Sequence, residues 1–125
     1  MYLRWAKDIS MGGVTTQGAY RNGLSVIGAT DLLVSPCTFA NTGNVGRYNE
    51  ADTLTPVNGG TAPRADVDIE PNGNEETLQN ITFRDCVATG NAGNAWDTST
   101  VTNHPTVFER CARAQRTARA ATSCP

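Results

Sequence analysis

Asn80-Ile-Thr-Phe-Arg-Asp-Cys-Val-Ala-Thr-Gly-Asn91 alternates apolar and polar residues from Ile81 and then runs into Thr-Gly-Asn. That pattern predicts a short half-buried strand followed by a turn. The stretch recurs. Asp31-Leu-Leu-Val-Ser-Pro-Cys-Thr-Phe-Ala-Asn41 aligns with it, Leu32 on Ile81, Val34 on Phe83 and Cys37 on Cys86. Asp8-Ile-Ser-Met-Gly-Gly-Val-Thr-Thr16 aligns again, with Ile9, Met11 and Val14 in those places. Pro105-Thr-Val-Phe-Glu-Arg-Cys111 supplies a fourth copy through Phe108 and Cys111. The matched positions Val14, Cys37, Cys86 and Cys111 are 23, 49 and 25 residues apart, so the middle interval is two repeats or one repeat carrying an insertion. A period in the low twenties, built of short strands and polar turns, is the mark of a solenoid. One such unit cannot bury its apolar face alone, but stacked units can, because each strand pairs with its equivalent above and below. The competing explanation, short strands of an ordinary β-sandwich, has to produce four aligned copies with a matched cysteine by chance.

A second strand type lies between these copies. Leu24-Ser-Val-Ile-Gly28 places Leu24 and Val26 on one face, and Val67 and Ile69 match them in Arg64-Ala-Asp-Val-Asp-Ile-Glu-Pro71. Ala92-Gly-Asn-Ala-Trp-Asp97 is a degraded third example. Each coil therefore has at least two strands, with Ala29-Thr-Asp31 and the longer Asn72-Gly-Asn-Glu-Glu-Thr77 as corners. Leu3 and Trp5 are expected to continue a strand inward. Residues 45–63, with several glycines and asparagines and with Pro56 and Pro63, read as a loop inserted between coils. After Cys111 the chain becomes Ala/Arg-rich, with Arg110, Arg113, Arg116 and Arg119 three apart, and favours helix by propensity. The organisation expected is one domain, 1–125, with coils over about 8–111, an inserted loop at 45–63 and a tail at 112–125.

The 125 residues suffice for one domain. A net charge of −2 offers no basic stripe for nucleic acid, and no apolar run reaches the length of a membrane span. The first residues lack the charged and apolar regions of a secretory signal. The first repeat begins at Asp8, which leaves no room for a terminal cap, so the missing coils of a longer chain are expected as partners. Without them the open strand edges predict marginal stability and self-association. The four cysteines show no metal-type spacing. Three share one repeat position, where side chains in register point the same way and suit a ladder of buried thiols better than disulfides. Cys124 reads as a free thiol in the tail.

In the stretches Tyr20-Arg-Asn-Gly-Leu-Ser-Val-Ile-Gly28, Asp31–Gly43, Ala65-Asp-Val-Asp-Ile-Glu-Pro-Asn72 and Leu78–Cys86, the chain resembles right-handed parallel β-helix proteins of the pectin lyase-like type. The resemblance covers about residues 8–111 and is closest to bacterial polysaccharide-processing members. It implies an all-β right-handed parallel β-helix of about four coils, an outer sheet face and its loops as a substrate groove, and a full-length protein that is secreted or at the cell surface. It does not name a reaction, since the superfamily includes lyases, hydrolases, epimerases and phage tailspikes. No Asp-Pro-His-Glu stretch of the epimerase kind and no His-Gly pair of the polygalacturonase kind occurs.

Chemistry is expected at Asp66, Asp68 and Glu70. Alternation with Val67 and Ile69 puts all three on the outward face, where they could hold Ca²⁺ through oxygen ligands or supply acid and base for glycosidic cleavage. Asp68 and Glu70 are the preferred catalytic pair, and Asp66 contributes to substrate binding. Arg21 and Arg64 begin equivalent strands; arginines suit sugar carboxylates, Arg21 being placed in substrate binding, and the resemblance implies a basic residue, Arg21 or Arg64, as the base of a lyase. The plainer explanation is a solvated strand face carrying edge-protecting charge. His104, the only histidine, lacks a nucleophile elbow nearby and reads as a surface residue. Two functions follow: a lyase or hydrolase of acidic polysaccharide, or a non-catalytic β-helix segment, as in an adhesin or tailspike, that binds glycans or acts as a spacer.

Overall fold

The computed structural model of the chain describes residues 1–43, 47–48, 54–55, 63–98 and 106–114. They form a right-handed parallel β-helix of about four coils, each giving one strand to each of three sheets. The first coil contains β1 (Tyr2–Leu3), β2 (Ala6–Met11) and β3 (Val14–Gln17), and the second β4 (Leu24–Val26), β5 (Ala29–Val34) and β6 (Cys37–Ala40). Next come β7 (Arg47–Tyr48) and β8 (Leu54–Thr55), which pair antiparallel with each other and not with the coils. The third coil holds β9 (Val67–Ile69), β10 (Leu78–Arg84) and β11 (Val87–Thr89), and the fourth β12 (Trp96–Thr98), β13 (Val107–Glu109) and β14 (Ala112–Ala114). Sheet A runs β1-β4-β9-β12, sheet B β2-β5-β10-β13 and sheet C β3-β6-β11-β14. Every neighbour within these three sheets is parallel.

The ladder register reproduces the repeat alignment. Ile9 pairs with Leu32 and Leu32 with Ile81; Met11, Val34, Phe83 and Phe108 form the next column. The inward columns of sheets A, B and C meet in one core, centred on Leu24, Val26, Leu32, Val34, Phe39, Val67, Ile69, Ile81 and Phe83. Aromatic rings fill one end of that core. Trp96 meets the edges of Phe39 and Phe83 at centroid distances of 6.2 and 5.9 Å, and Phe108 stacks on Phe83 at 5.4 Å. Such offset and edge-on pairs add to the burial of the rings themselves.

Each copy expected as one strand is two. Between the column of Met11, Val34, Phe83 and Phe108 and that of Val14, Cys37, Cys86 and Cys111 the chain turns from sheet B into sheet C. Gly13, Asp85 and Arg110 take left-handed backbone there, at φ 67°, 52° and 49°, and Pro36 occupies the same place in the second coil. A left-handed residue ends the extended run, which strand alternation alone does not reveal. Asp8, Asp31 and Asn80 are also left-handed, so Asp31 is a bulge within β5 and the preceding corner is Ile27-Gly28, not Ala29-Thr-Asp31. These short polar side chains tolerate that conformation better than most. The coils extend beyond 8–111, from β1 to β14. Ala112–Ala114 pairs with β11 as strand and not helix, because the stacked edge of β11 offers hydrogen bonds that outweigh alanine's helix preference. Residues 115–125, His104, Cys124 and most of 45–63 lie outside the described residues.

The cysteine column is a ladder of free thiols. Cys37, Cys86 and Cys111 are unbridged, and each sulfur donates to the carbonyl of the coil before: Cys37 to Met11 at 3.7 Å, Cys86 to Val34 at 3.3 Å, Cys111 to Phe83 at 3.4 Å. Burial pushes the Cys86 thiol up to about 11, so the reactive thiolate is scarce at neutral pH. Iodoacetamide is therefore expected to leave Cys37 and Cys86 unlabelled in the native chain and to label both in urea. Labelling of Cys86 in the native chain at the urea rate would show the column to be open.

Candidate functional site

Within β9, alternation sends Val67 and Ile69 into the core and Asp68 to the outer face of sheet A. Pairing with the neighbouring strands makes an outward column of Tyr2, Ser25, Asp68 and Asp97. Asp68 is only 5% exposed, because the turn before β4 folds over it. Asn22 Nδ2 donates to Asp68 Oδ2 at 2.8 Å and to Ser25 Oγ at 3.0 Å. Arg21, Glu70, Tyr2 and Asn72 border a cleft of ≈320 Å³ beside it.

The two carboxylates have unlike surroundings. Burial raises the Asp68 carboxyl above its ordinary value, and the charges of Glu70 and Asp97 push it further the same way. Arg21 and the Asn22 amide pull it back only in part. Glu70 is exposed at the end of the strand. A carboxyl raised by burial beside a solvent-exposed carboxyl is an arrangement that acid–base chemistry can use.

Asp66 does not belong to this row. It is fully buried and lies where the chain passes from sheet C into sheet A. Alternation holds only within Val67–Ile69; Asp66 sits in the preceding bend, which Arg64 enters at φ 57°. The Thr42 hydroxyl and the backbone amides of Thr42 and Thr89 approach its carboxyl, and burial still pushes it up to about 6. Neither oxygen has a hydrogen bond of regular geometry. Gly23 makes room for this packing, since a Cβ there would meet the Asp66 carbonyl at 2.6 Å and Thr16 Oγ1 at 2.7 Å.

Arg64 is also elsewhere. The register does align it with Arg21, but its half-buried side chain packs across Gly43, and its buried Nε makes no hydrogen bond among the described residues. Asp68, Glu70 and Arg21 are thus brought together, and Asp66 and Arg64 are not. Among the described residues no group of three Asp, Glu, His or Cys side chains is placed to hold a metal ion. Asn22 and Tyr2 were missed from the sequence. Asn22-Gly23 reads as a turn, and only the strand register shows that this turn covers Asp68.

Fold and cleft together define a right-handed parallel β-helix protein with an acidic cleft on the outer face of sheet A. Comparison of the chain with protein-family models, curated proteins and solved structures finds no match.

Proposed function

We propose that the outer face of sheet A binds an acidic polysaccharide and that the chain is a carbohydrate-active protein of the pectin lyase-like kind, hydrolysing glycosidic bonds. The observation that carries this is the meeting of Asp68 and Glu70, two carboxyls in unlike environments, in one cleft with Arg21. Asp68, its carboxyl raised by burial, donates to the leaving glycosidic oxygen. Glu70, open to solvent, acts as base or nucleophile on the other side of the bond. Arg21 pairs with a sugar carboxylate. Of the two guanidiniums the resemblance offers as a lyase base, Arg64 packs on Gly43 and Arg21 stays in the cleft, so it is the pair of unlike carboxyls that favours hydrolysis over elimination. Calcium fits poorly: Asp66 is buried elsewhere, and among the described residues no group of three Asp, Glu, His or Cys side chains is placed to hold the ion. No step is assigned to it.

The test is product release from polygalacturonate and alginate. Asp68→Ala is expected to lower the rate roughly 10²-fold or more, the size of a general acid's contribution, while a chelator leaves it unchanged. A variant that cleaves like the parent would remove Asp68 from the chemistry. The low exposure of Asp68 favours a second reading, glycan binding without cleavage, as in an adhesin or tailspike shaft. In that case neither protein releases products, and both bind.

A further inference from the structure

One corner along from the cleft, Trp5 stands 61% exposed. Leu3 enters the core, and Arg4 and Trp5 turn the chain from β1 into β2. Strand alternation from Leu3 would turn Trp5 inward; its φ of 57° breaks the alternation and turns it out. Left-handed backbone is uncommon for a bulky residue and costs free energy, and such strain tends to gather at functional positions. The next coil has Gly28 at the equivalent place.

The surroundings hold the indole in place. The Arg4 guanidinium lies over the ring, 5.6 Å from its centroid, and Arg4 Nε is 2.7 Å from Glu76 Oε1. The Glu76 side chain is itself only 2% exposed. Its Oε2 accepts from the backbone N–H of Asn72 and from that of Gly73 at 3.2 Å. This buried carboxylate therefore ties the 72–76 corner to Arg4, and through Arg4 to Trp5. Together they enclose a recess of ≈370 Å³ that also includes Asn74 and Glu75. Asn72 lines both this recess and the Asp68 cleft, so the two adjoin. On its other side Trp5 walls a smaller recess of ≈210 Å³ with Lys7 and Thr30.

We infer that Trp5, with Arg4 and Asn72, forms a second subsite that takes one pyranose ring of the glycan lying in the Asp68 cleft. A flat apolar wall beside side-chain amides and carboxylates matches a sugar ring, which presents C–H groups on one face and hydroxyls around its rim. Arg4 in this recess and Lys7 in the smaller one on the other side of Trp5 offset Glu75 and Glu76, so the ring itself is the shared feature and acidic and neutral sugars are both admitted. The inference rests on the reading of the cleft as a glycan groove.

Tryptophan emission tests it, because the only other tryptophan, Trp96, is packed against Phe39, Phe83 and Phe108. In a Trp96→Phe background, alginate oligomers and neutral xylo-oligomers are titrated against the 125-residue chain, and binding of the same oligomers is measured by calorimetry. A change in Trp5 emission with either oligomer is expected, and response to one alone identifies the sugar as acidic or neutral. Trp5→Ala should weaken binding roughly tenfold, the size of one aromatic contact, and Trp5→Phe should keep part of it. Equal binding by parent and Trp5→Ala, or no response to any oligomer, overturns the subsite. If Asp68→Ala leaves cleavage intact while Trp5→Ala loses binding, the catalytic reading fails and the subsite stands.

Discussion

Asp66→Asn is expected to stabilise the chain at neutral pH and to leave it unchanged near pH 3. The Asp66 carboxyl is fully buried and pushed up from 3.8 to about 6. The folded chain holds that proton more tightly than the unfolded one, so the contribution of Asp66 to stability is greatest below about 3.8, falls as pH rises, and levels off above about 6. A shift of that size corresponds to about 3 kcal/mol. Asparagine has nearly the same volume and no charge, so it removes the penalty where the carboxylate is ionised and gains nothing where Asp66 is already protonated. Urea unfolding of both proteins at pH 3 and pH 7 measures the difference. An Asn variant no more stable than the parent at pH 7 would mean that the folded chain solvates or pairs this carboxylate.

Phe83→Ala is expected to cost roughly 3–5 kcal/mol. Phe83 is fully buried, with Trp96 against its edge and Phe108 stacked on it. Its loss opens a cavity between the second and fourth coils that β-structure on three sides cannot close. Single domains have about 5–15 kcal/mol in total, so the urea midpoint should fall steeply or the cooperative transition vanish. Phe108 occupies the same column one coil on but is 37% exposed, and Phe108→Ala should cost clearly less. Equal losses at the two positions would show that burial does not grade this column.

The register of the coils was legible because it rests on pairs of inward residues that repeat. Ile9, Leu32 and Ile81, or Leu24 and Val67, align by side-chain type alone, and the structure pairs them accordingly. What the sequence hid lies where backbone angle and not residue type decides direction. Arg64 and Trp5 are left-handed, and nothing in an arginine or a tryptophan announces that. Each reverses the orientation that simple alternation assigns nearby, which is why Asp66 was expected outside and Trp5 inside. Asp68 and Glu70 were placed correctly on the outer side because Val67–Ile69 is a true strand. The covering of Asp68 by Asn22 depends on contacts 46 residues apart, which no local pattern contains.

The corners differ in how much they constrain. Between sheets B and C, two residues always intervene between inward columns: Gly12-Gly13, Ser35-Pro36, Arg84-Asp85 and Glu109-Arg110. Between sheets A and B, Ile27-Gly28 suffices in the second coil, whereas residues 70–77 make the same passage in the third, and β9 and β10 still pair in register with β4 and β5. Length there is absorbed without disturbing any ladder. For protein engineering this marks the stretch around Asn74 as a grafting port. A foreign peptide can be spliced in and displayed at the rim of the groove while the stacked coils serve as an indifferent host.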